Sequence, residues 1–198
     1  MTNIFKIHTG KFNVFKYPVA SVAIIIVLYF SLLIISDLTT PQYYKYSSIN
    51  ESSLNYVTRG RASNDFQAGL NALDEGNADL AIKFFKNDIS GNKNDGTIFY
   101  TNYILGLTYL ENSEKDFLGL FPSYNHNMVN AAIDNFHQCI LKNNSGSFPD
   151  VTSNAYFFIA KAYLMLDNPG KAKKNLLVVI KLKGSRSVEA LKLLDNIK

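Results

Sequence analysis

The pattern of apolar positions along this chain distinguishes an uncharged apolar run, a polar stretch and a long segment with helical spacing. Residues 17–36 include no charged side chain, and residues 22–28 are almost purely aliphatic. After residue 60, apolar residues recur at helical spacing, interrupted by Gly, Asn and Asp, without a convincing alternating run. The pattern predicts an apolar helix over 17–36, a polar linker over 37–60 and an all-α domain over 61–198.

The first of these elements is long enough to be a transmembrane helix. A helix over residues 17–36 would rise about 30 Å, the thickness of the hydrocarbon core of a bilayer. The apolar run of a cleaved signal peptide is about 7–15 residues long and ends in small residues. Here the run is longer and ends with Ile34, Ile35 and Ser36 before Asp37. This ending favours a retained membrane anchor over a signal peptide.

Charge predicts how such an anchor would be oriented. The chain of 198 residues has 20 Lys and Arg against 16 Asp and Glu. Lys6, Lys11 and Lys16 precede the apolar run, whereas no acidic residue occurs before Asp37. The positive-inside rule then predicts a cytoplasmic N-terminus over 1–16 and a domain outside the cytoplasm. In a bacterium with two membranes, the anchor would lie in the inner membrane and the domain in the periplasm.

Nucleic acid is not an expected partner. After the three N-terminal lysines, the remaining 17 basic residues nearly balance the 16 acidic ones. We find no concentrated basic stripe in this part of the sequence, which a nucleic-acid-binding domain would be expected to carry.

One spacing of small and large residues occurs twice in the domain. Gly69 and Ala81 are twelve positions apart, and Phe85 follows four residues later. Ala160 and Ala172 are also twelve apart, again with a large apolar residue four positions later. Two antiparallel helices approach closely where small residues cross and a large side chain fills the gap beside them. The spacing therefore predicts helical hairpins, with turns at Gly76 and at residues 167–170.

These stretches resemble the tetratricopeptide repeat (TPR) family, in the form of small membrane-anchored proteins of bacterial envelopes. The resemblance covers about residues 62–197 and implies an α-solenoid of about three hairpins. In the middle hairpin, Gly106 and Ala132 are 26 residues apart, fourteen more than the repeat spacing. We interpret residues 112–127 as an insertion, either a recognition loop or padding.

A short helix is predicted to close the array. Its N-cap would be Ser187, and its apolar stripe would hide the last face of the third hairpin. The stripe consists of Val188, Leu191, Leu194 and Ile197.

The sequence contains no recognisable catalytic or metal-binding motif. A nucleophile elbow, a P-loop, an HExxH motif and a Rossmann glycine pattern are all absent. His126 and His137 are too far apart to form a local ligand pair, and His137 is predicted to lie on a helix surface. Residues 91–96 suggest a calcium loop, but Lys93 stands where an oxygen ligand is needed, so we interpret them as a turn. Cys139 has no second cysteine to pair with and is predicted to be buried. We expect no enzyme activity, no metal and no cofactor.

The resemblance also implies where a partner would bind. In TPR arrays the first helix of each hairpin lines a concave groove. The groove positions implied here are Phe66, Leu70, Tyr100, Tyr103, Leu107, Asn154, Phe157 and Lys161. The basic and amide side chains with which some TPR proteins grip a chaperone's C-terminal carboxylate are replaced by apolar ones at several of these positions. An apolar, tyrosine-bearing groove suits a hydrophobic or amphipathic peptide.

A second interpretation stays open at these positions. Aromatic residues at helical spacing are often core residues, and either the insertion or the linker could fold back and fill the groove. The linker offers three tyrosines for this purpose, Tyr43, Tyr44 and Tyr46.

The expected function is that of a non-catalytic scaffold. The anchored domain would bind a protein or peptide segment outside the cytoplasm, within a complex of membrane proteins. One alternative is an N-anchored TPR receptor that faces the cytosol, which the lysines disfavour. Another is an accessory subunit of an enzyme, or a metal-dependent hydrolase built on His126. Exposed aromatic surface would equally support a homodimer.

Overall fold

A computed structural model describes residues 18–49, 60–143, 146 and 148–197. Contacts divide the chain between Thr39 and Thr40 into two units. The predicted cytoplasmic segment 1–16, with its three lysines, lies outside the described residues, and so do residues 50–59 of the predicted linker.

The described residues of the first unit form a single apolar helix, α1 (Pro18–Thr39). Its 22 residues give a length of about 33 Å. Along it, large apolar side chains such as Ile25 and Ile34 are exposed. By length and composition, α1 can cross a membrane. The helix continues three residues past the predicted end at residue 36, and the hydroxyl of Thr39 donates to the carbonyl of Ile35 one turn earlier.

The described part of the second unit is almost entirely helical. It begins with a short 3-10 turn, Tyr44–Tyr46. Its α-helices and its one β-hairpin are, in chain order, α2 (Asn64–Asp74), α3 (Ala78–Gly91), α4 (Ile98–Glu111), β1 (Glu114–Phe117), β2 (Leu120–Tyr124), α5 (His126–Lys142), α6 (Pro149–Met165), α7 (Pro169–Leu182) and α8 (Ser187–Asn196). Helices α2 and α3, α4 and α5, and α6 and α7 pack as hairpins, and α8 packs on α7. The predicted all-α array of three hairpins and a closing helix is confirmed.

Polar side chains mark where these helices begin. Ser63 accepts a hydrogen bond from the Phe66 amide and caps α2, and Asn77 accepts from the Leu80 amide and caps α3. Asn168 caps α7, whose first turn contains Pro169 as predicted. Each of these caps satisfies an amide that the helix itself leaves without a partner. The turn residues of the sequence therefore set the lengths of the hairpins.

The predicted crossing contacts are present in two successive hairpins. A Cβ added at Gly69 would lie 2.6 Å from Cδ1 of Phe85, and one added at Gly106 would lie 2.8 Å from Cε1 of Phe136. Real Cβ atoms do not approach other atoms so closely, so only glycine fits at each crossing. In the third hairpin, Ala160 is completely buried.

The insertion forms a β-hairpin, which the sequence analysis did not predict. Strands β1 and β2 pair antiparallel, and the register places Phe117 opposite Leu120. The two turn residues between them, Leu118 and Gly119, both have positive φ, at 55° and 75°. Such turns usually carry Asn-Gly or Asp-Gly. Because Leu118 occupies the first position, the sequence carries no recognisable turn signal.

The closing helix α8 is rotated relative to the prediction. Its buried residues are Ala190, Leu193 and, just past its end, Ile197, whereas Val188 and Leu191 are exposed. Arg186 rather than Ser187 occupies the N-cap position, and no side chain caps the helix there. Apolar side chains occur on more than one face of this short helix, so the period alone did not identify the buried face.

Candidate binding cleft

Six of the eight predicted groove residues lie in the core of the domain. Phe66 and Leu107 are 0% exposed, and Tyr103 is only 7% exposed. The other three buried residues are Leu70, Tyr100 and Phe157. Asn154 and Lys161 are half-buried. The interpretation of an open groove is therefore wrong for the six buried residues, because a partner could not reach their side chains.

These aromatic residues instead connect the first helices of successive hairpins. The ring centroids of Phe66 on α2 and Tyr100 on α4 are 6.0 Å apart, and those of Tyr103 on α4 and Phe158 on α6 are 6.2 Å apart. Tyr100 and Tyr103 stack on each other within α4 at 5.9 Å. Aromatic residues among the predicted groove positions thus face the neighbouring first helix, and they add to the packing of α3 on α4 and of α5 on α6 that joins the hairpins.

The described part of the linker folds back onto the domain. The ring of Tyr44 packs nearly perpendicular to that of Tyr124 at 4.9 Å, and the hydroxyl of Ser47 lies 2.8 Å from that of Tyr124. Burial is the main reason that the pKa of Tyr124 is raised. The ammonium of Lys161 donates to the backbone carbonyl of Ser48 at 2.8 Å. Of the two interpretations left open, the structure supports a linker that folds back onto the domain, where it contacts α6 and, through Tyr124, β2.

One cleft stays open beside this folded-back segment. It has a volume of about 450 Å³. We call it the cationic cleft, and it is lined by residues 45–49, α6, α8 and the turn before α8. Its main residues are Lys45, Phe157, Phe158, Lys161, Arg186, Glu189, Lys192 and Leu193. Two of the predicted groove residues, Phe157 and Lys161, therefore do line a cavity.

The cleft combines an aromatic floor with excess positive charge. The guanidinium of Arg186 lies 5.0 Å from the ring centroid of Phe157 and 4.9 Å from that of Phe158. Its Nη1 donates to Glu189 at 2.9 Å, and this is the only carboxylate among the lining residues. Burial lowers the pKa of Lys161, and the charge of Glu189 opposes this effect. A cation over an aromatic face is attracted to the ring, and this attraction fixes the position of Arg186.

Charge is distributed unevenly along the domain. From residue 161 to 198 the chain has nine Lys or Arg against three Asp or Glu, whereas from 62 to 160 it has five against eleven. The near-neutral total concealed a basic third hairpin and closing helix. A single charge count over the whole domain does not show this asymmetry.

A second polar cluster lies at the other end of the array. Asp88 is completely buried and accepts hydrogen bonds from Arg61, from Ser63 and, at 2.6 Å, from Thr101. Arg61 also pairs with Asp95 at 2.6 Å. Burial alone would raise the pKa of Asp88, but the hydrogen bonds from Arg61, Ser63 and Thr101 hold the pKa below its usual value. The cluster joins the start of α2 to α3 and α4, and the burial of Asp88, Arg61 and Thr101 gives it a structural role.

The sequence carried one signal for this cluster. Ala81, Phe85 and Asp88 have the spacing of a single helix face, so a carboxylate stands on the buried face of α3. A buried carboxylate needs a cation or several donors, which indicates that a basic residue such as Arg61 must be close.

The residues considered for metal chemistry do not come together. His126 and His137 are exposed, on the first turn and the middle of α5. Among the described residues, no group of three or more His, Cys, Asp and Glu side chains could hold a metal ion. Residues 92–97 form the turn between α3 and α4, as predicted. Cys139 is completely buried, and burial raises the pKa of its thiol.

The chain was compared with known proteins. No protein-family model matches it, and no curated protein shows significant sequence similarity to it.

Proposed function

We propose that this chain is a single-pass membrane protein whose TPR-like domain acts as a non-catalytic scaffold and binds a protein or peptide segment outside the cytoplasm. The observation that carries the proposal is the repeated crossing contact. Gly69 against Phe85 and Gly106 against Phe136 give two successive hairpins the same geometry. Stacked helical hairpins present an extended surface to partners, and the TPR family is the best-fitting source of this arrangement.

The apolar helix α1 supports the anchoring part of this proposal. Its exposed side chains are mostly large and apolar, and water would disfavour such a surface whereas lipid would accept it. An anchored domain meets partners in the same membrane at a raised effective concentration. A weak binding surface would then suffice to hold a complex together.

Orientation can be tested with introduced cysteines. Cys139 is completely buried, so the folded protein should present no reactive thiol of its own among its described residues. The exposed residue Lys174 on α7 would be replaced by Cys and treated with a membrane-impermeant maleimide in intact cells whose outer membrane has been permeabilised. Labelling is expected without lysis of the inner membrane. Labelling that appears only after lysis would place the domain in the cytoplasm and favour the alternative of a cytosolic receptor.

Partner binding can be tested with the same approach. A photoreactive crosslinker would be attached to a cysteine at Lys192, which lines the cationic cleft, or at Lys174, which does not. We expect irradiation of intact membranes to give one discrete crosslinked protein from position 192 and not from position 174. A chain that gives identical products at both positions, or none at either, has no specific partner at this cleft.

A further inference from the structure

We propose that the cationic cleft binds an acidic peptide segment in which a carboxylate side chain stands next to an apolar or aromatic one. This inference rests on the proposed scaffold function and names the chemistry of the partner. The cleft is lined by Lys45, Lys161, Arg186 and Lys192 and by one carboxylate, that of Glu189.

The cations are placed so that they can reach a single ligand. Lys45 and Lys192 line the cleft and are exposed, one on the folded-back segment and one on α8. Lys161 lies half-buried on α6, and an ammonium has three donor hydrogens, of which the hydrogen bond to the Ser48 carbonyl uses one. An anion in the cleft would therefore meet donors from three separate elements. Charge-assisted hydrogen bonds of this kind are about twice as strong as neutral ones.

Aliphatic side chains account for the apolar part of the ligand. Phe157 and Phe158 are almost completely buried beneath the guanidinium of Arg186, so the apolar surface of the cleft comes from side chains such as Ile49 and Leu193. A small inorganic anion would satisfy the cations but leave this aliphatic surface in contact with water. A peptide with an acidic residue beside an apolar one fills both, and a cavity of about 450 Å³ has room for a few side chains.

The arrangement favours a peptide over a nucleic acid. A nucleic acid carries regularly spaced phosphates and needs a track of cations that follows its backbone. Here the cations line one cavity and do not form such a track. The partner is therefore expected to be a protein with an exposed acidic and apolar segment.

The inference can be tested with two matched probes. The first is a fluorescein-labelled peptide of nine residues with two glutamates flanking a phenylalanine in a Gly/Ser background. In the second, both glutamates are replaced by glutamine. Fluorescence anisotropy with the full chain in detergent micelles is expected to give at least about tenfold tighter binding of the glutamate probe, about 1.4 kcal/mol. Salt at about 0.5 M should weaken this binding, because it shortens the Debye length to a few ångströms.

Two charge reversals then locate the site. Lys192→Glu reverses a charge in the cleft, whereas Lys181→Glu makes the same change in net charge on exposed surface of α7 outside it. We expect Lys192→Glu to weaken the glutamate probe by about fivefold or more and Lys181→Glu by less than about twofold. Lys161→Met, which keeps the aliphatic stem, is expected to weaken it as well. Circular dichroism verifies that each variant is folded.

Four outcomes would overturn the inference. They are no binding of the glutamate probe at about 1 mM, equal binding of the two probes, equal losses from Lys192→Glu and Lys181→Glu, and equally strong displacement by inorganic phosphate, anionic lipid vesicles or an oligonucleotide. None of these outcomes would reject the scaffold function itself. Crosslinking at position 192 in intact membranes requires a bound partner, but it does not require that partner to be acidic. A crosslinked partner together with failure of the glutamate probe would therefore reject the acidic ligand and leave the scaffold in place.

Discussion

Replacement of Gly69 by alanine tests whether close helix crossing holds the first hairpin together. The new Cβ would lie 2.6 Å from Cδ1 and 2.8 Å from Cζ of Phe85. The ring of Phe85 cannot easily move away, because it is completely buried and lies 5.8 Å from the ring of Phe66. The two helices must then separate, or Phe85 must leave its preferred rotamer.

The expected magnitude follows from two opposing effects. Alanine in place of glycine inside a helix stabilises it by about 1 kcal/mol. Overpacking of a well-filled core costs about 1–3 kcal/mol, and an approach this close belongs at the upper end. We expect Gly69→Ala to lower the free energy of unfolding by about 1–2 kcal/mol. Gly91→Ala is the matched control, because Gly91 ends α3 with nothing within 4 Å of an added Cβ. This control should be neutral or slightly stabilising.

The assay is urea unfolding of the chain in detergent micelles, followed by circular dichroism. A double-mutant cycle with Phe85→Leu isolates the contact, because the smaller side chain makes room for the new methyl group. The loss from Gly69→Ala should shrink by about 1 kcal/mol or more in the Phe85→Leu background. If Gly69→Ala stabilises the protein as much as Gly91→Ala does, the crossing is looser than the structure indicates and the hairpin geometry is wrong.

Three further predictions concern buried polar groups. The lowered pKa of Asp88 means that its stabilising effect is present above about pH 4, the pKa of an unfolded aspartate, and is lost as the pH falls through the folded value. Asp88→Asn should therefore lower the free energy of unfolding by about 3 kcal/mol or more at pH 7. The urea midpoint of this variant, measured down to pH 2, should depend less on pH than that of the wild type. Equal pH profiles of the two proteins would contradict this prediction. Tyr124→Phe removes the contact with the Ser47 hydroxyl and should lower the free energy of unfolding by about 1 kcal/mol. It should also speed the hydrogen exchange of the backbone amides of residues 43–49. Exchange at the wild-type rate would mean that other contacts hold this segment. Cys139 should resist a thiol reagent in the folded protein, whereas in urea it should react fully within the same incubation time. Rapid labelling of the native protein would show that the core around α5 opens.

The hairpins could be predicted from the sequence because their signals are local. Gly69 and Phe85 belong to one hairpin, and the helix spacing alone brings them together. The capping residue Asn168 with Pro169 likewise acts within a few positions of the turn that it sets. Signals of this kind depend on neighbours along the chain, and they gave the number and order of the hairpins.

The cationic cleft could not be predicted in the same way, because it depends on contacts between distant segments. Helical spacing places Phe66 and Tyr103 on the inner faces of their helices but does not distinguish a concave surface from the interface with the next helix. The contact between Ser47 and Tyr124 joins residues 77 positions apart. Arg186 and Lys45 line the cationic cleft only because α8 and the linker both return to α6. No local pattern indicates such a return.

The position of the linker leads to a last prediction. The cationic cleft should not bind the glutamate probe when the folded-back part of the linker is removed. Residues 45–49 form one wall of the cationic cleft, and Tyr44 packs on Tyr124 beneath it. A chain shortened to begin at residue 40 keeps this wall, whereas one that begins at residue 60 loses it together with the packing of Tyr43, Tyr44, Tyr46 and Ile49 against the core.

The shorter deletion should keep both the stability of the domain and its affinity for the glutamate probe. The longer one exposes the core surface that these four half-buried side chains cover, at a cost of a few kcal/mol, since complete burial of one large apolar side chain contributes about 1.5–3 kcal/mol. Thermal unfolding and fluorescence anisotropy of the two shortened chains measure both effects. If the chain that begins at residue 60 retains full stability and affinity, the folded-back segment is not part of the site. A loss of both would mean that the segment that tethers the domain also completes the surface with which it binds.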